Sequence, residues 1–161
     1  MKQFAVITGA SSGIGREYAR QLAAKGYNII VVSERDEENS RVAESLHAEY
    51  GVEALPLCVD LTDDNAAQRV FDFAQNIDGE VEILINNAGV LDNGLKAIDS
   101  FTDDDMNRVI DINTKGTMCM TREVAVEMAK TGYGSIVNVA SVAGVMGCGG
   151  AAYVASKAAV I

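Results

Sequence analysis

Thr8-Gly9-Ala10-Ser11-Ser12-Gly13-Ile14-Gly15 is the stretch on which the fold of this chain turns. It follows an apolar run, Gln3–Thr8, and opens a helical pattern. A helix that begins directly after a strand presents free N–H groups and the positive end of its dipole to whatever lies against the turn. A diphosphate must approach such a backbone closely, and glycine, lacking Cβ, permits that approach. Glycine-rich turns are common between strands and helices, so the trio gains its meaning from the strand–turn–helix context.

Outward from this turn the chain alternates. Short apolar segments that read as strands are Gln3–Thr8, Asn28–Ser33 and residues 53–58, 82–85 and 135–140, each bounded by Gly or polar residues. Their continuous Val- and Ile-rich character suits a parallel sheet covered on both faces. Between them, Ala66, Val70, Phe73, Ala74 and Ile77 recur at helical spacing, as do Met106, Val109, Ile110, Thr117, Met120, Val124 and Met128. Thr102-Asp103-Asp104-Asp105 has capping-box spacing and predicts the start of the longer helix. Alternating strands and helices imply an α/β fold with a doubly wound, Rossmann-like parallel sheet.

The chain's 161 residues fit one domain, 1–161, without a linker, repeat or low-complexity tract. A formal net charge of -10 argues against a nucleic-acid partner, which needs clustered Lys and Arg. The uncharged stretch 131–156 is broken by Gly132, Gly134, Gly144, Gly147, Gly149 and Gly150, and reads as a strand, a loop and a helix start, not a membrane span. No signal peptide is legible at the N-terminus. Three cysteines, Cys58, Cys119 and Cys148, form no CxxC pair, so a cytoplasmic, reducing setting is expected. His47, the sole histidine, falls on the polar side of a helix, and no metal site is expected.

Chemistry-bearing residues collect in the second half. Tyr153 and Lys157 are four apart, and a helix sets them on one face. A nearby ammonium favours the phenolate, which makes Tyr153 a general acid for carbonyl reduction or a general base for alcohol oxidation. An isolated pair of this kind is commonly surface decoration; its company decides the matter. Ser141 follows the fifth strand, where ligands of open α/β sheets bind, and its hydroxyl is suited to a developing oxyanion. Asn113 lies on the apolar side of its helix, so its amide needs partners.

The glycine turn, Asp60-Leu61, Asn86-Asn87-Ala88-Gly89, Asn113, Ser141 and the pair Tyr153 and Lys157 together resemble the short-chain dehydrogenase/reductase family in its compact single-domain branch. The resemblance runs over the whole chain. It implies cofactor contacts from Gly9, Ser11, Ser12, Gly13, Ile14, Gly15, Glu34, Arg35, Asp60, Leu61, Asn87, Ala88, Gly89, Tyr153 and Lys157, and catalysis by Asn113, Ser141, Tyr153 and Lys157. Asp60 would meet the adenine, and Asn113 would hold a water that relays protons to Lys157. The implied reaction is hydride transfer between NAD(P) and a small-molecule secondary alcohol or ketone, in a homo-oligomer built on the Tyr-bearing helix and the long helix before it.

Glu34 lies about 20 residues past Gly15, the usual place of an acid that binds the ribose hydroxyls and repels a 2′-phosphate. That favours NAD. The adjacent Arg35 suits the phosphate of NADP, but residues 10–14 contain no basic side chain. Two departures from the family stand out. Tyr153 follows Ser141 by one residue fewer than usual, with Gly149-Gly150 where Pro-Gly is frequent. The chain also reaches Ile161 inside the Tyr-bearing helix, short of the last strands and the substrate loop. The expected reading is therefore a truncated oxidoreductase; the alternative is a dinucleotide-binding fragment without turnover.

Overall fold

The computed structural model describes residues 1–92 and 98–161. Its elements run β1 (Gln3–Thr8), α1 (Gly13–Ala23), β2 (Asn28–Ser33), α2 (Asp36–Tyr50), β3 (Ala54–Cys58), α3 (Ala66–Gln75), β4 (Glu80–Asn86), α4 (Asp103–Ile110), a π-helical turn (Asp111–Gly116), α5 (Thr117–Thr131), β5 (Ser135–Asn138), α6 (Val142–Met146) and α7 (Ala151–Ala158). The described strands form one parallel sheet in the order β3-β2-β1-β4-β5.

Both faces of the sheet are covered, which is why its central strands carry continuous apolar runs, residues 4–7, 29–32 and 83–85. Phe4, Val6, Ile30, Val32 and Leu84 point to one side, against Val70 of α3 and Met120, Val124 and Met128 of α5. Ala5, Ile7, Ile29, Val31 and Ile85 alternate to the other side, against Ala19 and Ala23 of α1 and Val42 and Leu46 of α2. Pro56 lies on the outer strand β3, a place where a residue without an N–H is tolerated.

β1 and β2 have the expected bounds, while three other strands differ. β3 starts at Ala54 because Asn28 Oδ1 takes the Glu53 N–H. β4 begins at Glu80, where Glu80 and Val81 pair with Gln3 and Phe4. β5 stops at Asn138, where its partner β4 also ends; the Val139 N–H still donates to the Asn86 carbonyl, and the Val139 carbonyl accepts from Lys157 Nζ. The capping box at Thr102 is formed: its hydroxyl accepts from the Asp105 N–H, and the Asp105 carboxylate accepts from the Thr102 N–H. Beyond it the apolar row is only partly inward. Val109, Thr117, Met120, Val124 and Met128 are buried, whereas Met106 and Ile110 are exposed.

The π-helical turn has a simple geometric effect. Val109, Asn113 and Thr117 are spaced four apart, and in an α-helix such a row drifts by about 40° per step. A wider turn keeps all three facing inward.

The chain reverses its winding between β1 and β4, leaving a crevice at their carboxyl ends, the place where open α/β sheets bind ligands. No helix among the described residues is long and apolar enough to cross a membrane.

Candidate active site

The crevice is a cleft of about 330 Å³. Gly9, Ser11, Ser12, Gly13 and Ile14 form its floor, Glu34 and Arg35 one rim, Leu61 with Val59 a second, and Asn87, Ala88 and Gly89 the wall from β4. Gly15 stands behind the turn. A Cβ there would lie 2.3 Å from the Gly9 carbonyl oxygen and 2.5 Å from Asn87 Nδ2, so α1 and the β4 loop meet through it. Gly13 differs: its φ of +53° favours glycine, yet nothing lies within 4 Å of its missing side chain. Ser12 makes no side-chain cap, and the first turn of α1 carries no acid, so that turn faces the cleft with its donors free of a local anion.

Thr8, the first residue of the glycine motif, fastens the two walls together. Its Oγ1 accepts from the backbone N–H groups of Asn87 at 3.1 Å and Ala88 at 3.0 Å. Asn87 Nδ2 returns a bond to the Thr8 carbonyl at 3.0 Å. No periodicity marks such a bond between two strand ends.

Glu34 and Arg35 are both exposed and form a loose pair at 3.5 Å, geometry that leaves either free to meet a ligand. Asp60 is not part of the cleft lining; its carboxylate is folded onto the Thr62 N–H and hydroxyl in an Asx turn. Both bonds go to Oδ1, so a ligand contact from this side chain would be made through Oδ2.

The second half of the site lies on α7. Lys157 is 5% exposed and donates to the Val139 carbonyl at 2.8 Å. Its Nζ stands 6.0 Å from the centre of the Tyr153 ring and against Gly89 of the cleft wall. Asn113 is wholly buried in the π-helical turn. Its Oδ1 accepts from the Val90 N–H at 2.8 Å, and its Nδ2 donates to the Val90 carbonyl and to Ser156 Oγ, both at 2.9 Å. Both amide donors are thus engaged, leaving acceptor capacity alone for a relay water. The Ser141 hydroxyl caps α6 by accepting from the Ala143 N–H at 3.2 Å.

A model of the short chain dehydrogenase family matches residues 3–161. The chain belongs to the short-chain dehydrogenase family. It is 35% identical to a 3-oxoacyl-(acyl-carrier-protein) reductase of Staphylococcus epidermidis, over all of this chain and 66% of that protein. It is 33% identical to a short-chain type dehydrogenase/reductase of Picea abies, over 97% of this chain and 60% of the relative. Among solved structures, a short-chain dehydrogenase from Sphingobium yanoikuyae in complex with NADPH superposes with a TM-score of 0.90 at 33% identity, covering 98% of this chain and 61% of the other. Against these relatives, the chain spans about three fifths to two thirds of a family member's length.

Lys157 is a buried cation on the helix beside the cleft. Burial pushes the Lys157 ammonium below the usual lysine value of 10.5. The native protein therefore gives up this proton before the unfolded chain does. The buried charge counts against the fold below the native pKa, and that cost is relieved as pH rises from there to the unfolded value. The urea midpoint of the wild type is expected to gain on that of Lys157→Met across this alkaline window. Parallel pH profiles for the two proteins would place the ammonium in solvent.

Proposed function

We propose that the chain forms the cofactor-binding and proton-transfer part of an oxidoreductase that interconverts a secondary alcohol and a ketone. One observation carries this reading: the turn Asn87-Ala88-Gly89 is both a wall of the cleft and the surface against which Lys157 rests. A cleft shaped for an anionic, elongated ligand thus opens beside the helix that carries Tyr153. The uncapped, acid-free start of α1 and the open space at Gly13 fit a diphosphate.

Gly9, Ser11, Ser12, Gly13 and Ile14 would hold that diphosphate. A bound nicotinamide dinucleotide would supply or take up the hydride. In the reducing direction the Tyr153 hydroxyl gives a proton to the carbonyl oxygen; in the oxidising direction it removes one from the alcohol. Lys157 holds positive charge on the same face of α7. Ser141 polarises the substrate oxygen, and Asn113 fixes Val90 and Ser156 around the site. We assign the cofactor as NAD in preference to NADP. Glu34 supports this, being an exposed carboxylate on the rim where a 2′-phosphate would be repelled. The substrate is a small alcohol or ketone, the setting cytoplasmic. The assembly is a homo-oligomer, for which the exposed Met118 and Val126 of α5 supply apolar surface.

NADH and NADPH titrations followed by fluorescence test the cofactor assignment. NADH is expected to bind more tightly, and Glu34→Gln to improve NADPH binding by roughly tenfold, the scale of removing one nearby like charge. Tighter NADPH binding by the wild type would reverse the assignment.

A second reading, cofactor binding without turnover, needs only the cleft, whose lining lies between Gly9 and Ile112. Absorbance assays over a panel of secondary alcohols, run beside the titrations, separate the two. Binding with turnover supports the first, binding alone supports the second, and no binding removes both.

A further inference from the structure

Asp92 is a buried carboxylate, 5% exposed, that the reaction described above does not use. It sits at the start of α7. The N-cap of that helix is Gly150, which has no side chain to cap with, and the first bond along the helix runs from the Val154 N–H to the Gly150 carbonyl. The N–H groups before Val154 therefore need partners from elsewhere. Asp92 Oδ2 accepts from the Tyr153 N–H at 3.2 Å.

Gly150 makes room for this. Its backbone is ordinary, with φ -70° and ψ 147°, so glycine is not required there for conformation. It is required for space: a Cβ at position 150 would lie 2.0 Å from Asp92 Oδ2 and 2.1 Å from both Oδ1 and Cγ. The carboxylate occupies the place of the missing side chain, against the positive end of the helix dipole.

The other side of the same peptide is held as well. Ser156 Oγ donates to the Tyr153 carbonyl at 2.8 Å, and Asn113 Nδ2 donates to that Ser156 Oγ. Asn113 in turn grips Val90 through both its N–H and its carbonyl. Val90 and Asp92 belong to one short segment after β4. The main chain of Tyr153 is thus closed into a ring of hydrogen bonds that begins and ends on that segment.

We propose that Asp92 is a positioning residue that anchors the Tyr153 peptide and so sets where the phenol stands relative to Lys157. The proposal rests on Tyr153 as the acid–base group. Gly149-Gly150 lead directly into α7, and the cap comes from the segment after β4.

The test uses the full chain labelled with 15N-tyrosine, in which the Tyr153 amide is the signal missing from Tyr153→Phe. Asp92→Ala is expected to speed exchange of that amide by about tenfold, the scale of losing a helix cap, while the other tyrosine amides keep their rates. Asp92→Asn retains an acceptor oxygen and is expected to restore most of the protection. In turnover, Asp92→Ala should lower kcat by about tenfold with the cofactor Kd within about twofold, and Asp92→Asn should recover it. Gly150→Ala evicts the carboxylate without removing it and should copy Asp92→Ala, which keeps the test decisive where one variant folds poorly. An unchanged Tyr153 exchange rate in Asp92→Ala and Gly150→Ala would overturn the proposal, as would a kcat held at the wild-type level in both. A wild-type chain without turnover refutes the oxidoreductase reading instead, and the exchange rates then decide the anchor by themselves.

Discussion

Replacing Tyr153 by Phe is expected to lower turnover by about 10³-fold, within the range a positioned acid–base group contributes, and to leave cofactor affinity unchanged. The substitution removes only the hydroxyl. The anchors of this residue are main-chain groups: its N–H donates to Asp92, and its carbonyl accepts from Ser156. Phenylalanine keeps both, so α7 stays in place. None of the residues that line the cleft lies on α7, so that lining is untouched. Absorbance assays of NADH formation from a secondary alcohol, paired with a fluorescence titration of the same sample, give the two numbers. Turnover within about tenfold of wild type would remove Tyr153 from the proton path.

The second large effect is expected at Gly15. A methyl group there meets the Gly9 carbonyl oxygen at 2.3 Å and the Gly9 carbonyl carbon at 2.8 Å. These are main-chain atoms fixed by the sheet, and no flexible side chain can yield the room. Asn87 Nδ2, at 2.5 Å, is itself bonded to the Thr8 carbonyl. Gly15→Ala should therefore cost about 3 kcal/mol, the upper range of an overpacked core, and lower the melting temperature by roughly 10 °C. Gly13→Ala provides the contrast. Nothing crowds that position, so its cost is the left-handed backbone alone, about 1 kcal/mol. Its damage should appear in cofactor affinity, since the new methyl lies on the cleft floor. Thermal unfolding by circular dichroism separates the two variants. Equal melting temperatures would contradict the close packing at Gly15.

Both residues belong to stretches whose meaning was legible before any coordinates. The reason is that β1 and β2 are covered on both faces, so burial is written as an unbroken run of Val and Ile. The glycine turn is equally plain, because left-handed backbone at Gly9 and Gly13 and close packing at Gly15 restrict the residue type. The strand ends were less plain. β4 begins at Glu80, whose charged side chain hides a backbone paired with β1. β5 ends where its partner β4 ends, and the next carbonyl, that of Val139, is taken by Lys157 far along the chain.

The site shows the same division. Glycines, Asn87, Tyr153 and Lys157 stand in motifs with fixed spacing. Asp92 and Thr8 act on backbone N–H groups brought close only by the fold, and a backbone donor imposes no residue type on its own position. Asp60 combines the two. Its place after the third strand points to a ligand contact, and the fold adds a local one: Thr62, the next residue but one, donates twice to its Oδ1.

The π-helical turn between α4 and α5 has a consequence for how this chain tolerates length changes. One surplus residue in that turn lets Asn113 reach Val90 and Ser156 while Thr117 still faces the core. Deleting a single residue between Asp111 and Gly116 would restore a regular α-helix, which is locally the better structure, and would swing Asn113 out of its ring of partners. Such a deletion would also turn Val109 relative to Thr117 and Met120, so a change of length in this segment is felt in the core and at Asn113 together.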